Sequence, residues 1–480
     1  MESRSLKFIA NACGGELVNG SPQSLAGRVC TDSRQAQAGD LFIALAGERF
    51  DGHDFLGEVM QKGVAAVLID RAKLSAVFAA NGSPSNRTPQ SKIKDCSVIT
   101  VDNTRQGLGK LAARYRDDFT LPVVAIAGSN GKTTTKELVA SVLRQKFKTL
   151  WSEASFNNDI GVPLTLLNLE KGHEAAVLEV GTNHPGELAP LVRMIQPKIG
   201  ILTSIGREHL EFFGDLAGVA SEEGWLAELL PDGGTLFLNG DGEWAGEIAR
   251  RSRAKVWRVG LQVENDWRPA NVQMNEQGMR FWVSGPKQNI TGEYSINLIG
   301  RHQVVNAVFA VAVGAELGLS AEEIQRGLLE CKPAKMRLQR WNWNGVCVLD
   351  DAYNANADSM KAALQTLQEM PCRGRRVAVL GDMGELGGHS RAAHEEAGRI
   401  AADLGVDQLF TVGSMAGVMA NAARAAGLQD VDEFSDPVTA ADAVKHFLRA
   451  GDVMLLKASR ATRMERLTEA LKSQEAAGKD

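Results

Sequence analysis

The sequence predicts an α/β protein built as three domains, and three observations carry that reading. Residues 123–127 (Val-Val-Ala-Ile-Ala) are wholly apolar, as a strand buried on both faces of a parallel sheet must be, and lead through glycines into a segment of helical spacing. From residue 346 to 456, apolar runs of strand length alternate with helical periods, which argues a doubly wound parallel sheet. At 480 residues with 49 glycines and 44% hydrophobic residues, the chain exceeds a single core and has the turns that strand-to-helix connections need. The expected division is an N-terminal α/β domain over 1–119, a central parallel-sheet domain with a phosphate-loop-like turn over 120–332, and a doubly wound, Rossmann-like domain over 333–480.

Composition excludes several classes of function. The formal net charge of −5 and an isoelectric point near 6.0 provide no basic footprint for nucleic acid or an anionic membrane, so neither partner is expected. Cys13, Cys30, Cys96, Cys331, Cys347 and Cys372 are scattered, without a Cys-x-x-Cys pair or neighbouring histidines. They read as small thiols in a reducing compartment, not as a zinc site or a disulfide framework. Arg4 and Lys7 precede no sustained apolar run, and no stretch reaches the ~18 apolar residues of a membrane span. A cytoplasmic protein is expected.

Taken in order, residues 6–12 have the spacing of a short helix running into Gly14-Gly15. Thr31, Ser33 and Arg34 then put two hydroxyls and a guanidinium within four residues, a grip suited to a diphosphate. A strand between turns follows over 39–47, then Asp51-Gly52-His53-Asp54, and another strand over 64–70. Residues 81–95 (NGSPSNRTPQSKIKD) are polar, with two prolines and no apolar period, and are expected to be a mobile insertion. Residues 98–101 resume strand character, 104–119 read as a helix, and Pro122 marks entry to the central domain.

The run Gly128-Ser129-Asn130-Gly131-Lys132-Thr133-Thr134 sits between the buried strand and a helix carrying Leu138, Val139, Val142, Leu143 and Phe147. Glycines allow a tight turn that aims backbone N–H groups at an anion, and the helix N-terminus adds partial positive charge. Lys132 reaches terminal phosphates, and Thr133 or Thr134 offers a hydroxyl to Mg²⁺. The loop is shorter than the standard phosphate loop, whose first glycine would fall at Ile126.

Downstream, Ser155 to Pro163 break the pattern with polar residues, including Asn157 and Asn158, before a helix expected over 164–169. A strand over 175–181 carries Glu179 near its end, and a strand over 199–205 closes on Arg207-Glu208-His209. Ligands of open α/β sheets sit beyond the carboxyl ends of the strands, so the loop, Glu179 and His209 are expected at one site. With Thr133, Glu179 and His209 would supply oxygen and nitrogen ligands to a phosphate-bound Mg²⁺. Residues 236–282 read as β-rich decoration, residues 300–317 as a helix, and Ser320-Ala321-Glu322-Glu323 as the capping box of the next. Beyond Pro333, strands are expected over 346–349, 377–380, 408–412 and 453–456, with helices over 394–404 and 416–426.

The set Gly128-x-x-Gly131-Lys132-Thr133-Thr134, Asn157-Asn158-x-x-Gly161-x-Pro163, Glu179-x-Gly181-x-Asn183-His184-x-Gly186-Glu187 and His209-Leu210-Glu211 resembles the Mur ligase family of cell-wall amino-acid ligases. Gly300-Arg301-His302 through Asn306 and Asp350-Asp351-Ala352-Tyr353-Asn354-Ala355-Asn356 complete it. Within the family, the segments over 179–187 and 350–356 look most like the branch that adds D-alanyl-D-alanine to a UDP-N-acetylmuramoyl-tripeptide. An Asp-Asn-Pro-Arg run of the kind that reads diaminopimelate is absent from the sequence.

The resemblance implies an N-terminal domain for the UDP-sugar peptide, a central ATPase domain, and a C-terminal domain that closes over nucleotide and amine. It implies ATP and Mg²⁺ as cofactors, a monomer, and a role in peptidoglycan precursor synthesis. Thr31, Ser33 and Arg34 would face the uridine diphosphate, and Asn157 and Asn158 the substrate. Asn306 would approach adenine, and Arg337 and Asp351 the ribose and phosphates. Lys457, Ser459 and Arg460 resemble the family's Lys-Gly-Ser-Arg, with Ala458 in place of the glycine. The family also carries, at the position of Glu223, a carbamylated lysine that ligates a second Mg²⁺. A carboxylate is a hard oxygen donor of the same charge, so Glu223 is expected to hold Mg²⁺ without modification, the bland alternative being that Glu222 and Glu223 form a solvated helix face.

Amide formation from a carboxylate needs a better leaving group than oxide, which phosphorylation by ATP supplies before an amine attacks. Two other readings share the cradle, a folate polyglutamate-type ligase and a non-ligating ATP-operated switch. Asp32-Ser33-Arg34 and Asp51-Gly52-His53 favour the UDP-linked substrate over folate.

Overall fold

The structure is a computed structural model that describes residues 1–75, 96–275 and 277–477; the stretch 81–95, expected to be mobile, lies outside them. The chain divides into two compact units, Met1–Ala125 with Phe147–Gly181 and Ala189–Pro197, and Ile126–Lys146 with Thr182–Leu188 and Lys198–Asp480. The division passes through the Val123–Ala127 strand, whose five residues are all buried.

In the first unit, the strands Glu16–Asn19, Ser97–Val101, Ala66–Asp70, Leu41–Ile43 and Val29–Cys30 form one sheet in that order. The first pair is antiparallel and the others are parallel. Phe42, Val67, Ile69 and Val98 pack with Leu56 and Val59 of the Leu56–Gln61 helix, and Leu108 and Leu111 of the Thr104–Arg116 helix are fully buried. The same unit holds the Thr149–Trp151 strand parallel to Ala175–Glu179, which in turn lies beside Val123–Ala127.

In the second unit, the strands Ile199–Leu202, Thr235–Asn239 and Lys255–Val259 continue outward from Val123–Ala127, successively parallel. The Lys132–Leu143 helix packs closely on Ala321–Glu330: a Cβ on Gly327 would stand 2.5 Å from the Val142 Cα, and the Ser141 hydroxyl donates to the Gly327 carbonyl at 2.7 Å. Glycine at 327 is what lets the two backbones meet. A three-stranded antiparallel sheet, Arg268–Asn275, Gly278–Ser284 and Gly292–Ile296, follows.

The C-terminal sheet of that unit runs Gln339–Trp343, Val346–Asp350, Val453–Lys457, Arg376–Gly381, Gln408–Val412, Val431–Phe434. All neighbours are parallel except the first hairpin. Successive residues face opposite layers, as a strand's period of two requires. Ala378 and Leu380 join Met360, Leu364, Ala397 and Met419 on one side, while Val377 and Val379 join Ala440, Val444, Met464 and Leu467 on the other. The sheet is thus covered on both faces, as expected of a doubly wound domain.

Several expected elements move. The helix expected over 164–169 is Gly161–Leu166, because the Asn158 Oδ1 accepts from the N–H groups of Ile160 and Gly161 at 3.2 and 2.9 Å and starts it a turn early. The helix expected from 394 begins at Ser390. The region read as β-rich contains the Ala245–Arg251 helix between strands, whose seven residues are too few for a clear period. The edge strand Gln339–Trp343 is antiparallel, a departure from a purely parallel sheet.

The expected capping box is present: the Ser320 hydroxyl accepts from the Glu323 N–H at 3.2 Å and the Glu323 carboxylate from the Ser320 N–H at 2.8 Å. Replacing Ser320 by Ala should lower the opening free energy of the Ala321–Glu330 helix by about 1 kcal/mol. Hydrogen exchange of that helix checks this; unchanged protection would show that the cap carries nothing.

Candidate active site

The glycines of the phosphate loop are required by space as well as by angle. Gly128 has φ +113°, and a Cβ there would lie 2.5 Å from the Thr203 Oγ1; Gly131 has φ +86°, and a Cβ would lie 2.6 Å from the Asn306 Oδ1. Asn306 therefore lies directly against the loop, its amide fixed by the Gln303 Oε1 at 2.9 Å. The chain itself consumes the loop's first three donors. The Gly128 N–H goes to the Glu223 Oε2 at 2.7 Å, the Ser129 N–H to the Ser204 carbonyl at 2.9 Å, and the Asn130 N–H to the Ser204 hydroxyl at 2.9 Å. The amides suited to an anion are those that open the Lys132–Leu143 helix, which by geometry have no intrahelical partner.

Lys132 folds back over this turn. Its Nζ donates to the Gly128 carbonyl, to the Ser129 carbonyl at 3.3 Å and to the Glu208 Oε2 at 3.4 Å. Thr133 is buried, its hydroxyl 3.5 Å from the Arg337 Nη2. Thr134 lies in the first turn of the same helix.

Glu222 and Glu223 are no solvated face; they are 5% and 1% exposed. The Leu216–Glu223 helix brings both inward, and they diverge. Glu222 accepts from the Gly186 and Leu188 N–H groups at 2.9 and 2.8 Å, while Glu223 turns to Gly128. The Glu223 Oε1 is buried without a hydrogen-bond partner. Burial pushes its carboxyl up to about 8, against the pull of Lys132 and the Gly128 N–H.

His209 caps the short Leu210–Phe213 helix with φ +50°, and its Nδ1 is hydrogen-bonded to Glu385. Its Nε2 lies 3.9 Å from the Glu208 Oε2. Arg207, two residues earlier, forms a fork with Asp358 at 2.7 Å and with Glu396 at 2.6 Å. The Asn356 amide donates to the Asn130 Oδ1 at 3.0 Å. Arg337 stacks over the Tyr353 ring at 4.2 Å between two non-glycine residues in left-handed backbone, Met336 at φ +58° and Leu338 at φ +49°. Asp351 accepts from the Leu338 N–H at 3.1 Å and from Lys457 at 2.6 Å, and Lys457 is 2% exposed. The second unit thus gathers Gly128 to Thr134, Glu223, His209, Asn306, Arg337, Asp351 and Lys457.

The first unit places the remaining candidates. Glu179 ends its strand 1% exposed, its Oε1 accepting from the Asn157 amide at 2.8 Å and its Oε2 buried without a partner. Asn158 serves as the helix cap described above. Ser33 is buried in the Ser33–Gln35 turn, whose carbonyl at Ser33 accepts from Lys62 at 2.7 Å. Arg34 pairs with Asp32 at 2.7 Å and keeps its side chain 85% exposed, and Thr31 sits just before this turn.

Each unit buries one carboxylate with an unpaired oxygen, Glu179 in the first and Glu223 in the second, and such a group is costly unless a cation meets it, so each by itself suits Mg²⁺. Among the described residues no three histidine, cysteine or acidic side chains form a ready cage. Reading the residues alone missed Ser204, Glu208 as the partner of Lys132, Glu385, and the Arg207 fork. The run Gly381-Asp382-Met383-Gly384-Glu385, a glycine-flanked loop at a strand's carboxyl end, was the available signal for Glu385.

The raised Glu223 pKa fixes a pH dependence for the protein without metal or nucleotide. The folded state keeps a proton on Glu223 that the unfolded chain gives up near 4.5, so the Glu223 contribution to stability falls as pH rises from about 4.5 to about 8 and levels above that. Glu223→Gln should lack this slope and gain relative to the unsubstituted protein at pH 8, read from paired thermal melts across pH; parallel curves would refute it.

Three family descriptions match the chain: "Mur ligase family, catalytic domain" over residues 27–116, "Mur ligase middle domain" over 126–314, and "Mur ligase, glutamate ligase domain" over 336–460. The UDP-N-acetylmuramoyl-tripeptide--D-alanyl-D-alanine ligase of Escherichia coli (strain K12) is 35% identical over 479 residues, 98% of this chain and 99% of the relative. The Bacillus subtilis (strain 168) protein of the same name is 34% identical over 474 residues, again 98% and 99%. A crystal structure of MurF from Acinetobacter baumannii superimposes with a TM-score of 0.86 at 30% identity, covering 98% of this chain and 99% of that one. The fold, the placement of the phosphate-loop residues and these likenesses agree that the chain belongs to the Mur ligase family.

Proposed function

We propose that the chain is an ATP-dependent ligase that joins D-alanyl-D-alanine to the terminal carboxylate of a UDP-N-acetylmuramoyl-tripeptide, in the cytoplasm, as a step of peptidoglycan precursor synthesis. What carries the reading is the match, over nearly its whole length, to ligases of that name. We assign the UDP-sugar peptide to residues 1–119, ATP to 120–332, and closure over nucleotide and amine to 333–480, in a monomer.

The reaction consists of two displacements. A carboxylate oxygen attacks the γ-phosphorus of ATP and ADP leaves; the neutral amine then attacks the acyl carbon, phosphate leaves with the former carboxylate oxygen, and the nitrogen gives up one proton to the medium. Lys132 and the helix-opening amides face charge that spreads over the phosphoryl oxygens, where fixed donors in a dry site act most strongly. Thr133, Glu179, His209 and Glu223 are assigned to Mg²⁺, with Glu223 offering an anionic oxygen without modification; Mg²⁺ would supply neutralisation of phosphate charge when bound. Asn306, Arg337 and Asp351 are assigned to the nucleotide, Thr31, Ser33 and Arg34 to the uridine diphosphate, and Asn157 and Asn158 to substrate. Holding water away matters because an acyl phosphate hydrolyses.

The test is phosphate release with an ¹⁸O-labelled tripeptide carboxylate. Release should require ATP, UDP-tripeptide and dipeptide together, and label should appear in the phosphate. Release without the acceptors would mark a nucleotide-operated switch, and a folate substrate accepted in place of the UDP-tripeptide would mark the polyglutamate type. In the same assay Lys132→Ala should cost on the order of 10²-fold or more in kcat; near-normal turnover would remove Lys132 from the phosphoryl site.

A further inference from the structure

The contact between His209 and Glu385 has features that an ordinary surface ion pair does not need. Both residues sit in left-handed backbone, at φ +50° and φ +58°, and neither is a glycine. The Glu385 side chain is 48% exposed, and exposed ion pairs contribute little to stability, less than such backbone strain takes away. Strain held at a pair that stabilises so little points to a task for the geometry.

The loop bearing Glu385 is braced from several directions. The Met383 N–H donates to the buried His394 Nε2 at 2.9 Å, and Asp382 accepts from the Ser414 and Met415 N–H groups at 2.8 and 2.9 Å. On its other side the Glu211 N–H donates to the Glu385 carbonyl at 3.1 Å, and the His389 Nε2 meets the Gly214 carbonyl at 3.1 Å. Left-handed backbone at Gly387, φ +50°, lets the loop pass within 3.2 Å of the Glu211 Cα, measured from where a Cβ would stand. The carboxylate is therefore delivered to the His209 Nδ1 by a fixed scaffold.

We propose that Glu385 is a positioning residue for His209: by accepting the Nδ1 proton it selects the imidazole tautomer whose Nε2 is unprotonated, and aims that nitrogen at the Glu208 and Lys132 side of the phosphate loop. A carboxylate can only accept, so a neutral ring facing it must carry its proton on Nδ1. At 3.9 Å the Glu208 Oε2, which accepts from the Lys132 Nζ at 3.4 Å, is too far to hydrogen-bond Nε2, so only the Glu385 carboxylate selects the tautomer and the Nε2 lone pair is left available on that side. Without the carboxylate the Nε2–H tautomer, favoured by free imidazole side chains in water, would put a proton where a cation must bind. The role in cation binding rests on the assignment of His209 to Mg²⁺ made above; the choice of tautomer does not.

The experiment uses the full chain with ¹⁵N-labelled histidine, His209 being assigned by the signal lost in His209→Gln. In the metal-free protein, His209 should show a protonated Nδ1 and an unprotonated Nε2. Glu385→Ala should move it to the Nε2–H form, while Glu385→Gln, which keeps an acceptor oxygen, should retain most of the original tautomer. Titration with Mn²⁺ in the presence of a non-hydrolysable ATP analogue should broaden His209, with affinity roughly 10- to 100-fold weaker in Glu385→Ala. An Nε2-protonated His209 in the unsubstituted protein, or a tautomer indifferent to Glu385→Ala, overturns the proposal. A tautomer set by Glu385 together with no Mn²⁺ effect on His209 would uphold the positioning role and overturn the metal assignment of His209.

Discussion

The site is organised by one hydrogen bond, from the Gly128 N–H to the Glu223 carboxylate, made where water cannot reach. A carboxylate with one oxygen satisfied and the other bare is costly to bury, since a single hydrogen bond does not replace the hydration of a charge. The fold meets that cost by placing the Lys132 ammonium on the same turn, which pulls the Glu223 carboxyl toward its charged form without overcoming burial. The resulting group is poised: alone it favours its proton, and beside a cation its charged form is favoured instead.

That bond also decides which amides are left for phosphate. With Gly128, Ser129 and Asn130 committed to Glu223 and Ser204, the N–H groups left without an intrahelical partner are those at the start of the Lys132–Leu143 helix. Glu222 has a different task beside it, for it ties the Gly186 and Leu188 amides to the same short helix. Two adjacent carboxylates on one helix therefore fix two separate backbone segments, the phosphate loop and the turn preceding Ala189.

Much of this was legible in the sequence because it depends on local period and on glycine. The apolar run at 123–127, the glycines at 128 and 131, the capping box at Ser320 and the alternating C-terminal strands all have short-range signatures, and each is present. The early start at Gly161 was less visible, since it is set by a side-chain cap, and the Ala245–Arg251 helix was too short to show its period. The burial of Glu222 and Glu223 was invisible for a different reason. A charged pair on a helix reads as solvated unless the chain elsewhere is known to bring donors, and these come from Gly128, Gly186 and Leu188.

The same reasoning explains why the partners of Arg207 and His209 escaped a linear reading. Asp358, Glu385 and Glu396 follow the Ile199–Leu202 strand by well over a hundred residues, and only the tertiary fold brings them to its carboxyl end. Arg207 spends its guanidinium on two carboxylates at once, and such a planar fork fixes direction as well as distance. Each partner side chain is about a third exposed, so the fork adds little stability for its number of bonds. Its larger effect is geometric. By holding residues 204–209 at both the Arg207 and His209 side chains, the doubly wound part of the chain sets the orientation of groups that belong, by sequence, to the phosphate-binding part.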